Sequence, residues 1–259
     1  MKAQLMLWDE RFIWVSHTFM GQQMTRRYAT NIILAITNKP FLLILPDGST
    51  ETCHAALCSS RAVRCVDATE TPFLSLNLDP DCPAARMLES KVAGQEILQL
   101  ERHCFAHLDI KLMSLLAGEL SCSATRVLSD QLITTILGEI TITDTIDPRI
   151  RKVADHIRAN QLTDIDTSAL ASMVNLSPTR LVHLFSQQIG LPMTQFLLWI
   201  KMRHAVELVQ QGVSLTHIAQ ICGFSDLAHL TRTFKTFYGI KPSALANSRY
   251  VQSTLCNTR

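Results

Sequence analysis

Residues 214–239 read SLTHIAQICGFSDLAHLTRTFKTFYG, and residues 165–190 read IDTSALASMVNLSPTRLVHLFSQQIG. Each stretch spells a short helix carrying a small residue, a tight turn, and a longer helix that ends at glycine. That order is the pattern of a helix-turn-helix, repeated after about 48 residues. In the first copy Asp166 or Thr167 caps a short helix over Ser168–Val174, and Asn175-Leu176 makes the turn. Ser177 caps the longer helix, Pro178 takes its first position, and Gly190 ends it after Ile189. In the second copy Ser214 caps Leu215–Cys222, Gly223 turns, and Ser225 or Asp226 caps the longer helix. Lys241-Pro242 and Ser243–Ser248 predict a short closing helix. Between the copies, MTQFLLWIKMRHAVELVQQ (193–211) predicts one unbroken helix that fixes their spacing, with Phe196, Ile200, Ala205 and Leu208 as core contacts. Upstream, Asp147-Pro148 opens an amphipathic helix over 148–160, with Ile150, Val153, Ala154 and Ile157 on one face.

The two longer helices divide cleanly by face. Leu181, Leu184, Phe185 and Ile189 form a buried stripe in the first, and Leu230, Phe234 and Phe237 do so in the second. A recognition helix uses its outward N-terminal residues on base edges. Those residues are Thr179, Arg180, Val182 and His183 in the first copy. They are Ala228, Thr231, Arg232 and Lys235 in the second, with His229 at the margin and Ser225 at the helix start. Arg can pair with guanine, while Thr and Val can touch the thymine methyl. Two such units on a stiff spacer predict the reading of two successive major-groove segments of double-stranded DNA.

Charge supports this division. Residues 148–259 hold 12 Lys/Arg against 5 Asp/Glu, whereas residues 1–147 hold 12 against 17. A basic C-terminal part on an acidic N-terminal part fits a nucleic-acid reader joined to another module. The chain has 259 residues, 47% hydrophobic and 18% charged, enough for two ordinary domains. No run of 18 apolar residues suggests a membrane span, and MKAQLMLWDERF lacks a signal peptide's apolar core, so a cytoplasmic protein is expected. Cysteines stand at 53, 58, 65, 82, 104, 122, 222 and 256, with no Cys-x-x-Cys pair. Reduced thiols without structural zinc are therefore expected.

The N-terminal half reads differently. FIWVSHTF, NIILAIT, FLLILP, RAVRCV and PFLSLNL within residues 11–78 are strand-length runs separated by turn signals, Asp47-Gly48 among them. They predict a small barrel or sandwich. From Pro83 the pattern turns helical, with Leu98, Phe105, Leu108, Leu112, Leu115 and Leu116 as one stripe and a second helix over Ser123–Leu137. These helices would cover the barrel or form a dimer contact. ITITDTI (140–146) reads as a linker, which puts an N-terminal domain at 1–145 and an all-α domain with two helix-turn-helix units at 146–259. The fold class is α+β.

SPTRLVHLFSQQIG (177–190), IAQICGF (218–224) and GFSDLAHLTRTFKTFYGIKPSAL (223–245) resemble the signature of the AraC/XylS type, the arabinose-operon regulators of bacteria. The resemblance covers about residues 148–248, and Phe234, Phe237, Gly239 and Pro242 all fall in place. It implies an activator or repressor of transcription, with activation expected, whose two units enter groove segments one turn (~10 bp) apart. It places base contacts on Thr179, Val182 and His183, and on Leu227, Ala228, Thr231 and Arg232. It implies RNA polymerase as a partner, and a cupin-like N-terminal barrel that dimerises, binds a small-molecule effector, or does both. Related barrels often carry a histidine pair where this chain has Arg26-Arg27-Tyr28. Arg64 or Cys65 stands where another His often falls. No metal and no cofactor are therefore expected.

Other chemistry is thinly signalled. His103 and His107 lie four apart on a predicted helix, the spacing of two metal ligands, without an obvious third. Cys53, Cys58 and Cys65 near His54 could sense redox state, although small buried thiols are the more frequent reading. Arg26, Arg27, Arg61 and Arg64 could grip an anionic effector, but surface charge is the preferred reading. No nucleophile elbow, phosphate loop or HExxH motif occurs, so no enzyme is expected. The alternative is a metal- or effector-binding cupin-like protein whose enzymatic or sensing role lies in its N-terminal half.

Overall fold

The computed structural model describes residues 2–138, 146–160 and 164–256. The N-terminal strands are β1 (Ala3–Trp8), β2 (Arg11–Ser16), β3 (Phe19–Met20), β4 (Thr30–Ala35), β5 (Phe41–Ile44), β6 (Thr50–Cys53), β7 (Ala55–Cys58), β8 (Cys65–Ala68) and β9 (Phe73–Leu78). Helix α1 (Pro83–Val92) follows, then β10 (Ile97–Gln99), a 3-10 segment Arg102–Leu108, α2 (Asp109–Ala117) and α3 (Cys122–Leu137). The second half comprises α4 (Pro148–Ala159), α5 (Thr167–Met173), α6 (Pro178–Ile189), α7 (Met193–Gln210), α8 (Leu215–Ile221), α9 (Leu227–Tyr238) and α10 (Pro242–Leu245). It ends in a strand, β11 (Val251–Leu255). Among the described residues no helix is long and apolar enough to cross a membrane.

The strands form a seven-stranded sheet in the order β10-β7-β4-β9-β2-β1-β11 and a four-stranded sheet in the order β3-β8-β5-β6. Asp47-Gly48 makes the β5–β6 hairpin, with Gly48 at φ 84°, a conformation that costs glycine nothing. Strand alternation assigns each side chain to one of three cores. Met6, Trp8, Ile13, Ile32, Leu34, Leu74 and Leu76 face the helices α1–α3. On the other side, Ile33, Ala35, Ala56 and Phe73 meet Phe41, Leu43 and Val66 of the small sheet and close the barrel. Toward the β1 edge, among the described residues, the small sheet does not extend over that inner face. There Leu5, Leu7 and Phe12 join a core made mainly by the C-terminal helices. Phe12 stacks on Trp199 at 6.2 Å, and Tyr28 meets Phe237 edge-on at 5.3 Å. One apolar core therefore runs through both halves of the chain.

Three expectations need correction. Leu98 does not share a helical stripe with Leu112; it lies in β10, paired with Leu57 of β7. Cysteine is not reduced throughout: Cys122, opening α3, and Cys256, following β11, form a disulfide across 134 residues. His103 and His107 lie in a 3-10 segment, where four residues span one and a third turns, so they do not share a face. The chain also contains a strand the sequence pattern did not announce: β11 leaves the helical half and pairs in parallel with β1, from Ala3↔Val251 to Leu7↔Leu255. The linker expected at 140–146 lies, apart from Ile146, outside the described residues.

Candidate nucleic-acid interface

Each helix-turn-helix is built from local signals that the sequence carries. Asp166 accepts from the Ser168 and Ala169 amides at 3.0 Å to start α5, and Ser177 accepts from Arg180 N to start α6 behind Pro178. Ser214 caps α8, and Asp226 accepts from His229 N at 2.7 Å to start α9. The His229 amide is the main reason the Asp226 carboxyl titrates below its usual range. The turns pass through the left-handed region at Asn175 (φ 54°) and Gly223 (φ 68°), two residue types that tolerate it. The second turn is one residue longer, so Leu181 corresponds to Leu230, Phe185 to Phe234 and Gly190 to Gly239. Helix α7, 18 residues long, extends about 27 Å at 1.5 Å per residue, a stiff spacer somewhat shorter than the roughly 34 Å rise of one DNA turn.

The outward residues follow the same correspondence. Thr179, Arg180, Val182 and His183 are exposed on α6. On α9, Leu227, Ala228 and Arg232 are exposed, as is Ser225 in the turn before it, while Thr231 and Lys235 are half-buried. Val182 and Leu227 are apolar yet 40% and 38% exposed, the kind of contact that suits a thymine methyl. Ser225 bonds within its own turn, its hydroxyl 3.2 Å from His229 Nδ1. At 100° per residue, α9 has three faces. Leu230, Phe234 and Phe237 point into the core. Ala228, Thr231 and Lys235 form the groove-facing side, and His229, Thr233 and Thr236 form a flank. Arg232 stands at the seam of the last two.

The C-terminal end of that flank is bonded to the N-terminal half. Gln22 N donates to Gly239 O at 3.1 Å, Arg26 N to Thr236 O at 2.9 Å, and Arg27 Nε to Phe237 O at 3.1 Å. These acceptors are the carbonyls a helix C-terminus leaves unpaired, so the segment 22–27 caps α9. The buried Arg27 cation also sits at the end of the helix that favours positive charge. A second contact is ionic. Asp79, wholly buried after β9, pairs with Arg203 of α7 at 3.0 Å and with Arg158 of α4 at 2.9 Å. Asp81 bonds Arg158, whose Nε lies 3.0 Å away. Burial alone would lower the Arg158 pKa, but Asp79 and Asp81 outweigh it and raise it. Arg203 thus joins the two halves, and it also donates to Trp8 O.

The four arginines split into two pairs, which corrects the surface-charge reading for half of them. Arg26 and Arg61 are exposed, whereas Arg27 and Arg64 are 8% and 1% exposed. Among the described residues neither buried guanidinium has a carboxylate partner. Arg27 donates to Ser75 Oγ and Asn77 Oδ1, and Arg64 to Asn31 Oδ1, leaving Arg64 Nε without a hydrogen bond. Burial, helped by the like charge of Arg64, lowers the Arg27 pKa to about 9. Arg27 also borders a slot between the halves, lined by Leu5, Leu7, Phe12, Trp14, Phe73, Phe234 and Tyr238 with about 40 Å³ of free room. That space has room for a water but admits an organic molecule only if its walls part. The thiols nearby are quiet: Cys53, Cys58 and Cys65 are buried, and burial pushes Cys53 up to about 12. Among the described residues no three His, Cys, Asp or Glu side chains gather as a metal site.

Two helix-turn-helix units on one spacer helix define the C-terminal half as a helix-turn-helix domain. Residues 170–248 match the family model described as a helix-turn-helix domain. The regulator GbdR of Pseudomonas aeruginosa is 27% identical over 99 residues, covering 38% of this chain and 27% of GbdR. The regulator GlxA of Rhizobium meliloti is 34% identical over 82 residues, covering 31% of this chain and 25% of GlxA. The chain thus spans about a quarter of the length of these relatives. Among solved structures, ToxT from Vibrio cholerae O395 matches 92% of this chain and 95% of its own with a TM-score of 0.55 at 13% identity. ToxT from Vibrio cholerae with an unsaturated fatty acid bound matches 94% and 96% with a TM-score of 0.57 at 11% identity. At such identities the likeness is one of fold, and it extends over the barrel as well as the helices.

Proposed function

We propose that this protein is a sequence-specific DNA-binding regulator of transcription that works in the cytoplasm and by binding rather than by catalysis. The observation that carries this reading is the pair of recognition helices, each presenting an outward strip in equivalent positions: Thr179, Val182 and His183 on α6, and Ala228, Thr231 and Arg232 on α9. Arg180, Ser225, Leu227 and Lys235 complete the DNA-contacting set. Phosphate contacts by Lys, Arg and helix N-termini position the protein, and the strips then read base edges. For an activator, RNA polymerase is the second partner. Selection from a random DNA pool should return two short blocks one turn apart. Arg232→Ala should lose about 1–3 kcal/mol on the selected site and relax one position of it. Equal losses on selected and random DNA would show that Arg232 grips phosphate rather than reads a base.

The N-terminal half supports a second element of the reading, an effector site at the slot between the halves. A buried Arg27 without a carboxylate, set in apolar walls, suits an amphipathic anion, and ToxT is a protein of this fold that has been crystallised with an unsaturated fatty acid. Trp14 lines the slot, so filling it should shift tryptophan emission. A long-chain fatty acid is expected to do this and to change DNA affinity, the matching alcohol to do neither, and Arg27→Met to abolish both responses. An acid and alcohol of equal effect would refute a role for Arg27. Self-association has exposed apolar ground on α2 and α3, where Ile110, Met113 and Val127 are at least half exposed.

A further inference from the structure

The groove-facing side of α9 does not end at α9. The segment 22–27 lies along its flank, tied to the helix by the Gln22, Arg26 and Arg27 bonds and by Gln23 Nε2 to Thr236 Oγ1 at 3.4 Å. From behind, Thr25 and Arg64 exchange backbone bonds of 2.8 and 3.2 Å, and the Thr25 hydroxyl adds a third to Arg64 O. Anchored on both sides, the segment is held in place before any ligand arrives. Arg26 is exposed there, and with His229, Arg232 and Thr236 it borders a shallow hollow whose lining includes no carboxylate. Arg26 also borders the neighbouring hollow on the α6 side, whose lining includes Arg61 and one carboxylate, Glu96.

We propose that the N-terminal half forms part of the DNA interface, with Arg26 contacting a backbone phosphate beside the groove segment that α9 reads. The inference rests on α9 being a recognition helix. A helix of 10–12 Å diameter fills a major groove about 12 Å wide, so what is bonded to its flank meets the sugar–phosphate wall. The contact falls at the C-terminal end of α9, where a recognition helix leaves the groove, so the segment meets the rim without blocking the bases. The charge is complementary, and it is continuous with Arg232 at the seam.

The test is a salt titration of the full chain on a selected site and on random DNA. Arg26→Ala keeps the backbone N–H that bonds Thr236, and its thermal melt should match the wild type. Affinity should fall several-fold on both DNAs alike, and the slope of log K against log salt should drop by about 0.9, one phosphate contact. Arg26→Lys should restore both. Unchanged affinity and slope for Arg26→Ala, alongside a loss for Arg232→Ala on the selected site, overturns this proposal and spares α9. Tighter binding by Arg26→Ala would mean the segment obstructs DNA, which also overturns it. If neither substitution weakens binding, the reading of α9 itself has failed.

Discussion

Asp79→Ala should destabilise the protein by about 3–5 kcal/mol, one of the largest effects expected from a single side chain outside the hydrophobic cores. Asp79 is wholly buried and is the common partner of Arg203, itself 4% exposed, and Arg158. Removing the carboxylate strands the Arg203 cation where water cannot reach it, and desolvation of an unpaired charge outweighs the packing lost with a small side chain. In a chain of this size each kcal/mol moves the melting temperature by roughly 2–4 °C, so a drop of about 10 °C should be seen by calorimetry. The double variant Asp79→Leu with Arg203→Met should recover part of the loss, since it removes the stranded charge as well as its partner. A single variant that melts like a surface substitution would show that the two halves do not depend on this pair.

Cys122→Ser should cost about 3–5 kcal/mol under non-reducing conditions, because the bond it removes closes a loop of 134 residues in the unfolded chain. Urea unfolding with and without a dithiol reductant checks it. Reductant should bring the wild type down toward the variant and leave the variant where it is. Thiol titration of the denatured, unreduced protein should find the six free cysteines 53, 58, 65, 82, 104 and 222. Finding all eight would mean that the bond does not form in solution. Disulfides are rare in reducing compartments, so the pair's state should follow its surroundings. The stability of the protein should then depend on whether the pair is oxidised.

The helical half was legible because its signals are local. Asp147, Ser177 and Ser214 at helix starts, Pro178 at a first turn, and Gly190 and Gly239 at helix ends each act within four residues. The elements from α4 to α9 therefore fall within a residue or two of where the sequence puts them. What the sequence left silent depends on distant partners. In β1, Leu5 and Leu7 enter one core and Met6 and Trp8 another, so no polar alternation marks a strand buried on both faces. Leu98 fits a helical stripe until β7 claims it. Of the candidate site, the strips on α6 and α9 could be read from helical periodicity. The flank contact of Arg26, the burial of Arg27 and the task of Arg203 could not, since each is set by chain more than 40 residues away.

The placement of β11 also bears on how the chain reaches its native state. One edge of β1 finds its partner only after more than 240 further residues have left the ribosome. Until then β1 offers an open row of amides and carbonyls to any passing strand. Contacts of such long reach close slowly, so docking of β11 on β1 should be a slow phase of folding.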